Sequence, residues 1–201
     1  MVENTVKTKI EDTRQQILET AKSIILGKGF AAVGLNEILT TASVPKGSFY
    51  HYFKSKEQFG NALLEDYFAG YIDMLESQLR DDGTPAVKRL MSYFQHWLDS
   101  QLSDTTEDKC LVVKLSAEVT DLSESMRRTL NEGTGKVIAR ISKAIEEAVD
   151  SKELVISTNA DALAQELYYM WVGATLLTKV SHTRDALECA MQATRKRLTH
   201  G

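Results

Sequence analysis

Cys110 lies between Lys109 and the apolar run Leu111, Val112 and Val113, with a second ammonium, Lys114, one helical turn further on. A thiol at the start of a helix feels the partial positive charge of the helix N-terminus, and neighbouring cations favour its thiolate, the nucleophilic and oxidisable form. These residues suit reaction with electrophiles or oxidants near neutral pH. They equally suit a small apolar side chain filling a core, where cysteines outside disulfides are common. Cys189 has no flanking positive charge and reads as a packing residue. Cys110 with His96 would satisfy the composition of a thiol-imidazole enzyme, which linear spacing leaves open.

A second chemistry is carried by residues 35–56, LNEILTTASVPKGSFYHYFKSK. Two short helical patterns flank a tight connection at Ala42, Ser43 and Val44, the arrangement of a helix-turn-helix. Leu35, Ile38, Leu39, Val44 and Phe49 form the inward set. Lys46, Ser48, Tyr50, His51, Lys54 and Lys56 remain outside, able to donate hydrogen bonds or positive charge to phosphates, and Gly47 allows close backbone approach. A solvated basic turn with an aromatic plug is the alternative reading of the same spacing. Other chemistries find little support. His51, His96, His182 and His200 lack HExxH or Cys-x-x-Cys spacing, so no metal is expected. Gly133 and Gly135 lack the strand and Lys-Ser/Thr of a phosphate loop, so no cofactor is expected either.

The elements that must position these residues are helical almost throughout. Apolar residues at 43% and charged residues at 26% indicate a folded globular chain. Thr13 with Gln16, and Ser55 with Gln58, have capping-box spacing and predict helix starts. From Thr13, Ile17, Ala21, Ile24 and Ile25 recur on one face until Gly27 and Gly29. Helices are predicted over 35–41, 45–52, 55–80, 84–102, 109–119, 123–150, 159–180 and 183–198. Pro45 and Pro85, the only prolines, are expected at first helical positions. No strand is predicted. The fold class is therefore all-α, with a helix-turn-helix domain over 1–54 and a sensing and dimerisation domain over 55–201.

Charge is uneven along the chain. Residues 1–60 hold eight Lys and Arg against six Asp and Glu, a net +2, whereas the remainder carries −6 of a total of −4. A mildly basic head on an acidic body is expected if the head alone meets phosphate. The longest nearly apolar stretch, 167–177, is well short of the ~18 residues that suggest a membrane span. The polar N-terminus has no apolar signal core, so a cytoplasmic location is expected. Two cysteines in a reducing compartment suggest no disulfide framework.

The run SVPKGSFYHYFKSKEQF, with helix one and the Gly29-Phe30 turn before it, resembles the DNA-binding signature of the TetR family of transcriptional regulators. The resemblance covers about the first quarter of the chain. It implies that Lys46, Gly47 and Ser48 meet bases and adjacent phosphates, and that Tyr50, His51 and Lys56 lie at phosphate-contact or helix-start positions. Gly34 departs from the usual Thr or Ser cap of helix two, and Pro45 from a common Ser. Residues 110–127, CLVVKLSAEVTDLSESMR, and 171–181, WVGATLLTKVS, are similar to the NemR-type, electrophile-responsive branch of that family. That resemblance implies a repressor that binds a palindromic double-stranded operator as a homodimer, with Cys110 as sensor and Lys179 as a candidate charge partner. It also implies a four-helix dimer bundle from residues 159–198, with Trp171 and Leu176 at the dimer face; packing within the chain is the alternative for that face. A noncovalent apolar inducer is the alternative to cysteine modification.

Overall fold

The structure, a computed structural model, describes residues 2–103, 105 and 109–199, and for residues 2–11 the backbone alone. His200 lies outside the described residues. These residues form the helices α1 (Val2–Lys28), α2 (Leu35–Thr41), α3 (Lys46–Tyr52), α4 (Lys56–Leu79), α5 (Ala86–Leu102), α6 (Leu111–Leu122), α7 (Glu124–Asp150), α8 (Ala160–Ser181) and α9 (Asp185–Thr199), with no strand among them. The chain is all-α, as its patterning predicts.

Two compact units emerge. One comprises residues 1–68 and 114–131, the other residues 69–113 and 132–201. Helices α4, α6 and α7 each contribute residues to both units.

In the first unit, α1 buries Ile17, Leu18, Ala21 and Ile25 completely. The helix runs through Thr13 rather than starting there. Residues 2–12 contain neither Gly nor Pro to stop it, and a helical Thr13 cannot serve as the extended N-cap of a capping box. Phe49, Phe53 and Phe59 form a buried ring triad, with centroids 5.1, 5.2 and 5.6 Å apart, that ties α3 to the start of α4. At that start the Gln58 N–H donates to Ser55 Oγ at 3.0 Å, while the Lys54 N–H donates to Gln58 Oε1 at 2.6 Å. This is the predicted capping box with its return bond one residue earlier. Gly60 is small for a packing reason: a Cβ there would lie 2.6 Å from Met126 Cε and 2.8 Å from Phe30 Cζ.

The second unit is centred on aromatic residues. Phe94 and Trp171 stack at 5.2 Å, and Trp97 meets Trp171 at 5.6 Å and Tyr168 at 5.8 Å. Each indole has a polar outlet. Trp171 Nε1 donates to Thr194 Oγ1 at 2.9 Å, and that hydroxyl donates to the Ala190 carbonyl. Trp97 Nε1 donates to Thr175 Oγ1 at 3.1 Å, which donates to the Trp171 carbonyl. Buried hydroxyls thus satisfy both indoles and knit α5, α8 and α9 together. Asn159 caps α8, accepting the Ala162 N–H at 2.8 Å. Pro45 and Pro85 sit one residue before their helices, at the N-cap, rather than at the first helical position.

Candidate nucleic-acid interface and cysteine site

The turn between α2 and α3 is closed by the backbone. Val44 N–H donates to the Leu39 carbonyl at 2.9 Å and Ser43 N–H to the Thr40 carbonyl at 3.1 Å, with Ser43 left-handed at φ 55°. These two bonds define a Schellman ending of α2, completed by the buried pair Leu39 and Val44. Gln16 of α1 holds the turn from below, its Nε2 donating to the Ala42 carbonyl at 3.0 Å. Ile38, Leu39, Val44 and Phe49 are buried as predicted, while Leu35 is only half-buried.

With Phe49 anchored, α3 turns its other face outward. Pro45, Lys46, Gly47, Tyr50, His51 and Lys54 are exposed, Tyr50 by 56%, and Ser48 is half-buried. Apart from its chain neighbours and the backbone of its own helix, no described residue comes within 4 Å of a Cβ placed on Gly47. Tyr50 stands edge-on to Phe49 at 5.5 Å, which fixes its ring while leaving the hydroxyl end in solvent. Lys56 does not join this exposed row freely. Its ammonium donates to the Val33 carbonyl at 2.9 Å and sits 5.0 Å from the centre of the Phe30 ring, securing the segment between α1 and α2.

Sequence reasoning missed the residues that hold this segment from α6. Glu118 accepts the Phe30 N–H at 2.9 Å through Oε2 and the Ala31 N–H through Oε1. Lys114 Nζ donates to the Gly27 carbonyl at 3.1 Å. Lys114, read in sequence as a neighbour that would support a thiolate at Cys110, thus has its ammonium on the end of α1. Nothing in linear spacing signals a contact across 87 or 88 residues.

Cys110 is half-buried and immediately precedes α6. Its backbone N–H donates to Gln101 Oε1 at 3.4 Å. The adjacent Lys109 ammonium donates to the Gln101 carbonyl at 2.8 Å and to the Ser103 carbonyl, fastening the end of α5 beside the cysteine. Tyr71 and Tyr93 share a hydroxyl hydrogen bond of 2.9 Å. Desolvation drives the Tyr71 hydroxyl far above the usual phenol range, against the opposing bond from Tyr93 and with a further rise from charge at Cys110. Tyr168 is raised likewise, by burial first and by charge at Cys110 second. Both phenols therefore stay neutral within electrostatic reach of the cysteine.

Lys179 is exposed in the last turn of α8. Cys189 is exposed on α9, beside rather than within the buried row Leu187, Ala190, Met191, Thr194 and Leu198. Its expected packing role is therefore corrected. Trp171 is corrected as well: fully buried against Phe94 and bonded to Thr194, it belongs to the chain's own core and has no face to offer a partner. Leu176 is 49% exposed, and Tyr169, Leu177 and Val180 of α8 are exposed with it. Among the described residues, no group of three His, Cys, Asp or Glu side chains could hold a metal ion, and no helix is long and apolar enough to cross a membrane.

Two short helices joined by a four-residue turn, the second anchored by Phe49 and presenting a lysine, a tyrosine and a histidine, define a helix-turn-helix protein of the DNA-binding regulator class. The chain belongs to the TetR family. Residues 17–63 match the family of bacterial regulatory proteins named for TetR, and residues 86–194 match a tetracyclin repressor-like C-terminal domain. It is 43% identical over 180 residues, 90% of each chain, to the HTH-type transcriptional repressor NemR of Escherichia coli strain K12. It is 31% identical over 176 residues to the HTH-type transcriptional repressor DhaR of a Mycobacterium species, strain GP1, covering 87% of this chain and 86% of that one. The crystal structure of the reduced form of E. coli NemR superposes with a TM-score of 0.89 at 41% identity, covering 94% of this chain and 98% of that one.

Proposed function

We propose that this protein is a homodimeric transcriptional repressor whose hold on a palindromic operator is weakened when an electrophile or oxidant modifies Cys110. Lys46, Gly47 and Ser48 face the base edges and nearest phosphates. Tyr50, His51 and Lys54 follow the backbone, and Pro45 sets the approach of α3. The position of Cys110 carries the sensing half of this reading. It is a half-buried thiol one residue before a helix, with neutral phenols in electrostatic reach and an ammonium-bearing neighbour. Such a thiolate forms a sulfur-carbon bond with an electrophilic carbon, and the thiol proton passes to solvent. Support also comes from the relative at 43% identity, a repressor with a structure in a reduced form. Lys179 is the candidate charge partner of the modified or ionised cysteine, and Leu176, exposed on α8, lies at the dimer face.

The experiment is selection of duplexes from a random-sequence pool, followed by binding of the recovered DNA with and without hypochlorite or a reactive dicarbonyl. The reading predicts recovery of an inverted repeat and its release by the reagent. Recovery of no repeat would remove the operator. Release by an apolar compound that leaves both thiols unmodified in intact mass would replace cysteine sensing with noncovalent induction.

A further inference from the structure

The segment joining α1 to α2 aims the DNA-reading helices, yet it has little structure of its own. Gly29 leaves α1 with φ 94°, and Phe30, Ala31 and Ala32 turn before Val33 and Gly34 lead into α2. The last carbonyls of α1 have no partner within the helix, and the N–H groups of Phe30 and Ala31 lie beyond its hydrogen-bond ladder. Residues of α6 meet both kinds of group with the matching charge. The Lys114 ammonium takes the Gly27 carbonyl, at the negative end of the α1 dipole, and the Glu118 carboxylate takes the N–H groups of Phe30 and Ala31. Gly29 makes room for this. A Cβ there would lie 3.1 Å from Glu118 Oε2, at a φ that side chains rarely adopt.

We infer that Glu118 is a positioning residue for operator binding: without touching DNA, its carboxylate fixes the turn between α1 and α2, and Lys114 holds the end of α1 in the same setting. Every contact lies within the first compact unit. Lys114 and Glu118 also follow Cys110 by four and eight residues. A change in α6 that starts at the cysteine therefore meets the two anchors about one and two helical turns later. This regulatory extension rests on the cysteine reading above; the positioning role does not.

The decisive variant is Glu118→Gln, which keeps the side-chain shape but replaces one acceptor oxygen with an amide donor facing a backbone N–H. In the reduced protein it lowers affinity for the selected operator about tenfold. Affinity for random duplex and the slope of log affinity against log salt stay as in the wild type, because phosphate contacts are intact. A purely structural loss would lower both affinities together. Lys114→Met, at a half-buried position, gives a smaller loss of the same selective kind and guards against misfolding of the first variant. Hydrogen exchange reads the clamp directly: the Phe30 and Ala31 amides are protected in the wild type and exchange faster in Glu118→Gln. Wild-type operator affinity in Glu118→Gln, or a parallel fall in operator and random-duplex affinity in both variants, overturns the positioning role. The regulatory extension predicts that modification of Cys110 adds little to the loss already present in Glu118→Gln, and an undiminished further loss overturns it. If modification does not weaken the wild type at all, the cysteine reading fails while the Glu118 result still stands on its own.

Discussion

At Lys56 one of the three ammonium protons is committed to the Val33 carbonyl and the charge rests over the Phe30 ring. The family resemblance puts this residue among phosphate contacts or helix starts, and the structure favours the second. Lys46 is exposed at the first turn of α3. The two lysines should therefore separate in experiment. Lys46→Ala should flatten the dependence of log operator affinity on log salt by about 1.8, roughly 0.9 for each of the two phosphate contacts the dimer gives up. Lys56→Ala should leave that slope unchanged and lower stability to urea by about 1 to 2 kcal/mol, the worth of one hydrogen bond and one cation-ring contact. A flattened slope for Lys56→Ala with unchanged stability would return it to the DNA surface. Trp171 teaches the same lesson from the apolar side. An aromatic on a helix rich in small residues fits a partner interface or the chain's own core, and only the Phe94 stack and the Thr194 bond decide between them.

Local chemistry fixes most of the elements. The α2 ending is set by Leu39 and Val44, with Ser43 bearing a left-handed backbone that costs a non-glycine residue roughly 1 to 2 kcal/mol. Ser43→Gly should therefore raise unfolding stability by about 1 kcal/mol, partly offset by glycine's greater freedom in the unfolded chain. Thermal or urea unfolding measures it. A destabilised variant would mean that the Ser43 side chain supplies more than the backbone strain it introduces. Helix existence was legible in the sequence because the apolar period, Asn159, Ser55 and the two prolines act within a few residues of one another. The start of α1 was not, since Thr13 and Gln16 carry a capping pattern inside a run that nothing interrupts. The outward face of α3 was legible once Phe49 was placed inward. The Glu118 clamp was beyond reach, because its partners are backbone amides, which have no side-chain signature, and they lie 87 and 88 residues away.

For the molecule as a whole, the proposed operator binding by two reading heads needs a dimer, and the exposed Tyr169, Leu176, Leu177 and Val180 of α8 are the surface proposed for it. Leu176→Glu should leave the chain folded, because Leu176 is 49% exposed, and should shift sedimentation toward monomer. Trp171→Ala should instead destabilise the fold by about 3 to 5 kcal/mol, the usual loss for a large buried aromatic. A Leu176→Glu protein that stays dimeric would place the interface elsewhere. The acidic body and mildly basic head agree with the proposed contact to DNA through the head.

Control of operator affinity by chemistry at Cys110 is measured in Cys189→Ser protein, where Cys110 is the sole thiol. Its affinity for the selected operator is measured before and after a maleimide reagent is brought to one adduct per chain by intact mass, with Cys110→Ser/Cys189→Ser as the comparison. A coupling of about 1 to 3 kcal/mol predicts a 5- to 150-fold loss of affinity in the first protein and no loss in the second. Full modification of Cys110 with operator affinity unchanged, or an equal loss in the protein without thiols, would mean that Cys110 is not the switch.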